Sequence, residues 1–324
     1  MPCFNHGAFI GEAIESVFAQ TFDDVEIIVV DDGSTDAATV EAIARWKGPR
    51  VTTIATPNRG LPAARNLAAQ QAAGEVLCAL DADDKLAPSW FEKGLRVLDS
   101  EPDVAFVSHW LETFGDERWT WTPERCDLPS LLARNTVNGA ALVRKPAFDA
   151  VGGYDEAMRE GCEDWDLWLR LVEAGYRGAI VPEILFYYRR RADSMSRVML
   201  DPESYRRPLD TLITKHREAY RAHLLDVLIA QEAEVLDLSD EIAELERARL
   251  TSLDPSLRRA REEHAALTEK VERVRPRIEQ DEQRQRLQWQ AAELAREVRE
   301  LRASLSWRIT APLRKLYSLL GGGR

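Results

Sequence analysis

Cysteine is scarce and scattered in this sequence. Cys3, Cys78, Cys126 and Cys162 form no C-x-x-C pair and no Cys/His cluster. That argues against a disulfide framework and a structural zinc site, and it fits a reducing cytosol. No apolar run approaches the ~18 residues that a membrane span needs. The opening residues Pro2, Asn5 and His6 lack the basic and apolar regions of a secretory leader. Positive charge is in deficit: 43 Lys and Arg stand against 55 Asp and Glu, for a net charge of -12. A chain of that sign gains little from neutralising phosphates, so nucleic acid is not an expected partner. Glycine-rich phosphate loops are missing as well. No G-x-G-x-x-G follows a strand, which disfavours a dinucleotide oxidoreductase, and no G-x-x-x-x-G-K-[ST] occurs, which disfavours a phosphate-loop NTPase.

What is present reads as two halves. The chain has 324 residues, 45% of them hydrophobic, enough for roughly two domains and a sizeable core. Up to about residue 200, strands and helices alternate. Ile10, Ile14, Val17 and Phe18 have helical spacing within 8–19. Val25 to Val30 is a short apolar run rich in β-branched residues, which suits a strand buried on both faces of a parallel sheet. A helix over 39–46, a strand over 51–55, an Ala-rich helix over 61–73 and a strand over 75–80 follow. This alternation predicts an α/β domain with a mostly parallel sheet flanked by helices. In such sheets ligands bind beyond the carboxyl ends of strands, and two Asp clusters fall there: Asp31-Asp32-Gly33-Ser34 and Asp81-Ala82-Asp83-Asp84.

Beyond about residue 205 the grammar changes. Val235, Leu238, Ile242 and Leu245 step by three and four, as do Leu267, Val271, Val274 and Ile278, and then Leu287 through Leu305. The seams predict an all-α coiled coil, broken near Asp254-Pro255 and Pro276. The last stretch, with Trp307, Arg308, Arg314 and Lys315, is basic and amphipathic. It suits weak contact with an anionic membrane face or packing on its own coiled coil.

Each chemical signal has a bland counterpart. Two carboxylates spaced as Asp81 and Asp83 can hold Mg²⁺ or Mn²⁺ together with a diphosphate, yet Asp favours turns in any case. Asp31 and Asp32 can accept from a base or ribose, or simply close an Asx turn. Arg65 suits phosphates, or it is a solvated helix residue. Asp164, in Glu163-Asp164-Trp165-Asp166, can act as a general base, or it stabilises a helix N-terminus. Cys162 beside it reads as a small packing residue rather than a nucleophile. Trp165 and Trp168 have the spacing of core residues, for at least one of the two.

Order and spacing favour the chemical readings. Pro2-Cys3-Phe4-Asn5, Val29 to Asp36, Asn58-Arg59-Gly60 with Ala64-Arg65-Asn66, Leu80 to Asp84, Val151 to Asp155, Glu163 to Asp166, and Tyr188-Arg189 before Ser194-Met195-Ser196 follow one another over residues 1 to about 200. In this the chain resembles a family 2 glycosyltransferase with the GT-A nucleotide-sugar fold.

With the resemblance covering residues 1 to about 200, the expected division is a glycosyltransferase domain over 1–204, a helical coiled-coil region over 205–303 and a basic tail over 304–324. The resemblance implies that Asn5, Asp31, Asp32, Arg65 and Asp81 serve the nucleotide sugar, that Asp83 binds the metal and that Asp164 is the base of an inverting transfer. The expected donor is a UDP-sugar, and the expected acceptor is a hydroxyl of a glycan or lipid-linked molecule in bacterial surface polysaccharide synthesis. The expected location is cytoplasmic, at or near the inner membrane face. A second copy or an assembly enzyme is the partner expected for the coiled coil.

Two departures stand out. The hydrophobic strand that usually precedes P-x-F-N is missing, which leaves a gap beside a central position of the sheet. Arg191 occupies the place of a common His; Arg cannot ligate a cation but can contact diphosphate oxygens. The alternative reading is a catalytically impaired, transferase-like scaffold that works through its coiled coil.

Overall fold

The computed structural model describes residues 1–191, 202–251, 259 and 262–270. The chain divides into two compact units, Met1–Ala230 and Gln231–Arg324. The first opens with β1 (Pro2–Cys3), α1 (Ile10–Phe18), β2 (Ile27–Asp31), α2 (Ala37–Ala44), β3 (Val51–Ala55) and α3 (Leu61–Gln71). These strands form a parallel sheet in the order β1-β2-β3. The apolar run of β2 is explained by its two covered faces. Ile27 and Val29 join the cluster containing Ile10 and Ile14 of α1. Ile28 and Val30 pack with Ala64 and Leu67 of α3. All five residues of β2 are buried.

The chain continues through β4 (Val76–Cys78), β5 (Lys85–Leu86), α4 (Trp90–Ser100), β6 (Val104–Gly115), β7 (Thr120–Trp121), α5 (Leu128–Ala133), β8 (Leu142–Arg144), α6 (Lys145–Ala150), α7 (Glu163–Glu173) and β9 (Arg177–Arg190). The second sheet runs β4-β8-β6-β9-β5, with β7 on β6. It is mixed: β6 pairs β9 in parallel, and its other pairings are antiparallel. Parallel pairing holds throughout the opening βαβα stretch, where helices cross over between strands, whereas after β4 the antiparallel partners lie far apart in sequence, with the β6–β7 hairpin as the exception. Pro62, Pro129 and Pro146 sit in the first turns of α3, α5 and α6, where the missing N–H costs nothing.

The two sheets do not join. β1 pairs only with Val30 and Asp31 of β2, and β4 ends the second sheet. A cavity of about 1360 Å³ lies there, lined by Met1, Ile27 and Ile28 on one side and by Val76, Leu77 and Cys78 on another. The Met1 amine is buried and donates to Ile28 O at 2.8 Å; burial lowers its pKa to about 6.

Three helices follow: α8 (Pro202–Lys215), α9 (Arg217–Ala222) and α10 (Leu224–Thr251). Leu212 and Val227 are buried in the core cluster that holds Trp165, Trp168 and Phe106. The apolar positions Val235, Leu238, Ile242 and Leu245 lie on α10, and residues 262–270 are also helical. The breaks at Pro255 and Pro276, the seams from Val271 onward, the basic tail over 304–324 and Ser194-Met195-Ser196 lie outside the described residues. No helix among the described residues is long and apolar enough to cross a membrane.

Candidate active site

The site begins at the end of β2. Asp31 Oδ1 accepts from Ser34 N at 2.9 Å. Asp32 faces the other way and accepts from Arg59 N at 2.8 Å and Gly60 N at 2.9 Å. It thereby fixes the turn ahead of α3. The two loops touch at Gly33, whose φ is +75°; a Cβ there would lie 2.6 Å from Asn58 N, so only glycine fits. Asn5 closes the same turn from β1. Its Oδ1 accepts from Thr35 N at 2.9 Å and Asp36 N at 3.1 Å. Asp36 caps α2 through Ala38 N and Thr39 N.

Arg65 projects from α3 and is almost wholly buried. Its Nη2 donates to Asp81 at 2.8 and 3.0 Å, and its Nη1 to Glu163 Oε1 at 2.6 Å. The guanidinium also stacks 5.3 Å from the Tyr154 ring. Asp81 thus shares Arg65 with α7, while Asp83 faces a different group. His6 Nδ1 lies 3.8 Å from Asp83 Oδ1, and Arg191 Nη2 lies 3.5 Å from its Oδ2. Burial raises the Asp83 carboxyl; His6 and Arg191 pull it back, and Asp81 adds to the rise. Asp84 is turned inward and accepts from Arg189 N at 2.7 Å.

Asp164 stands in the first turn of α7, half-buried. Its Oδ1 accepts from Trp165 N at 2.7 Å. Burial and then the adjacent Glu163 carboxylate push its pKa up to about 7, against the pull of Arg65. A carboxyl tuned to neutrality is what a general base needs. Gly139 backs onto it: a Cβ there would lie 3.4 Å from Arg65 Nη2 and 3.9 Å from Asp164 Oδ2. Cys162 precedes the helix at φ +62°, and burial pushes its thiol up, which suits packing rather than nucleophilic attack. Trp165 and Trp168 are both buried; Trp165 Nε1 donates to Leu131 O at 2.6 Å, and Trp168 stacks on Phe106.

The structure therefore brings Arg65, Asp81 and Asp164 to one place through Glu163, and Asp83, His6 and Arg191 to another beside it. Asn5, Asp31 and Asp32 form the loop floor at the end of β2. Asp81 and Asp83 offer only hard oxygen donors, which suits Mg²⁺ or Mn²⁺. No group of three or more His, Cys, Asp or Glu side chains among the described residues could hold a metal, so further ligands would have to come from substrate or water. Sequence reasoning passed over His6, Glu163 and Gly139. Glu163 carried a signal in its place beside Asp164; His6 and Gly139 carried none without the fold.

Residues 1–155 match the family described as Glycosyl transferase family 2, and residues 125–231 match Glycosyltransferase like family 2. The succinoglycan biosynthesis protein ExoO of Rhizobium meliloti is 30% identical over 248 residues, covering 70% of this chain and 69% of that protein. The chain belongs to glycosyltransferase family 2. An uncharacterized glycosyltransferase of Haemophilus influenzae is 29% identical over 181 residues; the match covers 53% of this chain and only 60% of that protein's length. The fold is shared with S. aureus TarS in complex with UDP-GlcNAc, at a TM-score of 0.56 and 19% identity, covering 66% of this chain and 64% of the other. It is also shared with the mannosyltransferase PcManGT of Pyrobaculum calidifontis in complex with GDP-Man and Mn²⁺, at 0.55 and 20%, covering 82% and 78%. Family membership supports a role in glycosyl transfer.

Proposed function

We propose that the chain is an inverting glycosyltransferase that moves a sugar from a UDP-sugar to a hydroxyl of a glycan or lipid-linked acceptor in surface polysaccharide synthesis. The observation that carries this reading is Asp164, a half-buried carboxyl pushed up to about 7 and set close to Arg65, which pairs with Asp81. Asp164 takes the proton from the acceptor hydroxyl as its oxygen attacks the anomeric carbon. Asp31 and the Asn5-held turn receive the base and ribose, and Asp81 receives a ribose hydroxyl. Asp83 with Asp81 would hold Mg²⁺ or Mn²⁺, which supplies charge neutralisation for the departing diphosphate. Arg191, near Asp83, adds a cationic contact for diphosphate oxygens.

The protein works in the cytoplasm at the inner membrane face, where the basic tail adds weak contact. The coiled coil takes a second copy or an assembly enzyme as its partner, and sedimentation of the purified chain distinguishes the two.

Thermal unfolding with UDP and Mn²⁺ tests the donor site. At a hundredfold excess over Kd, binding adds about 2.7 kcal/mol of stability. A Mn²⁺-dependent rise in Tm, lost in Asp83→Ala, is the expected result. No rise with UDP, GDP or dTDP would leave the second reading, a transferase-like scaffold, which the cavity between the sheets favours.

A further inference from the structure

His216 lies between α8 and α9, and its ring is 2% exposed. Both ring nitrogens face carboxylates: Nε2 is 3.1 Å from Asp166 Oδ1, and Nδ1 is 2.7 Å from Glu173 Oε2. An imidazole with an acceptor at each nitrogen is best satisfied when both carry protons. The Asp166 carboxylate has no exposure and is fully engaged. Lys215 Nζ lies 2.7 Å from Oδ1, and Arg170 Nε 2.8 Å from Oδ2. Arg170 continues to Val151 O and Gly153 O, each at 2.6 Å. Lys215 continues to Asp155 Oδ2 at 2.5 Å.

Asp166 is two residues from Asp164 and in the same helical turn. Its amide donates to Cys162 O at 2.9 Å, which is the first hydrogen bond of α7. A force on the Asp166 side chain is therefore a force on the turn that aims Asp164. None of the other groups engaging the Asp166 carboxylate is as buried as His216. Burial pulls the His216 pKa down, but the hydrogen bonds and charges of Asp166 and Glu173 outweigh it, and the net shift is upward. The groups around it are Asp166, Arg170 and Glu173 of α7, Asp155 of the preceding loop, Lys215 beside it and Tyr220 one turn on.

We propose that His216 is a positioning residue of the transfer reaction: clamped between Asp166 and Glu173, it ties α8 and α9 to α7 and holds the turn that carries Asp164. The proposal rests on the reading of Asp164 as the base. It makes the segment after residue 201 a working part of the transferase unit. It also assigns the two limbs of a bell-shaped pH profile. Activity rises as Asp164 loses its proton, through about 7, and falls at higher pH as His216 loses one of its two protons and releases a carboxylate.

The test compares wild type, His216→Gln and the milder Glu173→Gln in the full chain. Amide hydrogen exchange is read first, because it needs no substrate. In His216→Gln the amides of 164–167 exchange about tenfold faster, the effect of one lost charge-assisted hydrogen bond. In wild type the protection factors of the same amides, corrected for base-catalysed exchange, fall as pH passes the His216 titration. Turnover is then followed by diphosphate release from a UDP-sugar. His216→Gln lowers kcat about tenfold, leaves the donor KM within about twofold and abolishes the alkaline limb. Glu173→Gln removes one of the two groups that raise His216, so it moves that limb to lower pH and leaves the acid limb in place. Unchanged exchange at 164–167 in a folded His216→Gln variant would overturn the proposal, as would an alkaline limb that ignores Glu173→Gln. If wild type turns over no donor, the transferase reading fails, and the exchange result still decides the clamp.

Discussion

Arg65 donates to Glu163 across 98 residues of sequence at 2.6 Å, and the contact joins α3, beside the nucleotide loops, to the helix that carries Asp164. The same guanidinium holds Asp81. One buried cation thus serves two carboxylates from two elements, and Nε of Arg65 has no partner among the described residues.

Removing that cation leaves Asp81 and Glu163 uncompensated. Breaking a buried pair from one side costs about 3–5 kcal/mol, so Arg65→Met should lower urea stability by that order. Glu163→Gln has a second consequence. The Glu163 carboxylate is one of the groups that push Asp164 upward, so its loss should move the acid limb of the activity profile to lower pH. An unmoved limb would show that Glu163 does not contribute to the raised Asp164 pKa.

Asp164 acts as a base only when ionised. With its pKa at about 7, log kcat should climb with unit slope below that pH and flatten above it. Asp164→Asn should lower kcat by about 10²–10⁴-fold, the range for a lost general base. Donor affinity by calorimetry should stay near wild type. A variant that loses donor binding along with turnover would mark Asp164 as part of the donor pocket instead.

Much of the fold was legible because its signals are local. The β2 run and the β3 strand are apolar, β-branched and bounded by turn residues, and the structure has them at Ile27–Asp31 and Val51–Ala55. The mixed second sheet was not legible, since the pairing of β6 with both β8 and β9 is set by packing over long separations. The site divides the same way. The Asp clusters are local signals at strand ends, while Arg65 and Asp166 each have a partner 98 or 50 positions away. Asp31 and Asp32 are neighbours in sequence with different partners, which no spacing rule could show.

That difference gives a paired test. Asp32 accepts from two backbone amides at the start of α3. Asp32→Ala removes the shared acceptor of these two part-buried amides, and a lost hydrogen bond to a charged group costs about 1.5–3 kcal/mol. Asp31 accepts only from Ser34 N among the described contacts, which leaves acceptor capacity for a ligand. Asp31→Ala should weaken UDP binding with little loss of stability, whereas Asp32→Ala should lower Tm even without ligand. Equal Tm losses for the two would assign both to the loop scaffold.

A cavity separates β2 from β4. Its walls carry Ile27, Ile28, Val76 and Leu77, and the Met1 amine points into this region with its charge disfavoured by burial. Residues added ahead of Met1 would run parallel to β2, since β1 already does. About five residues at 3.3 Å each would lie along both sheet edges, and each apolar side chain buried there would contribute about 1.5–3 kcal/mol. A version of the chain extended upstream in frame with a β-branched apolar segment should therefore melt higher than the chain beginning at Met1. Exchange at the amides of Val76–Cys78 should slow with it, because β4 would gain a neighbour on its open edge. An extended chain that melts no higher, with exchange unchanged at β4, would show that the cavity does not take a strand.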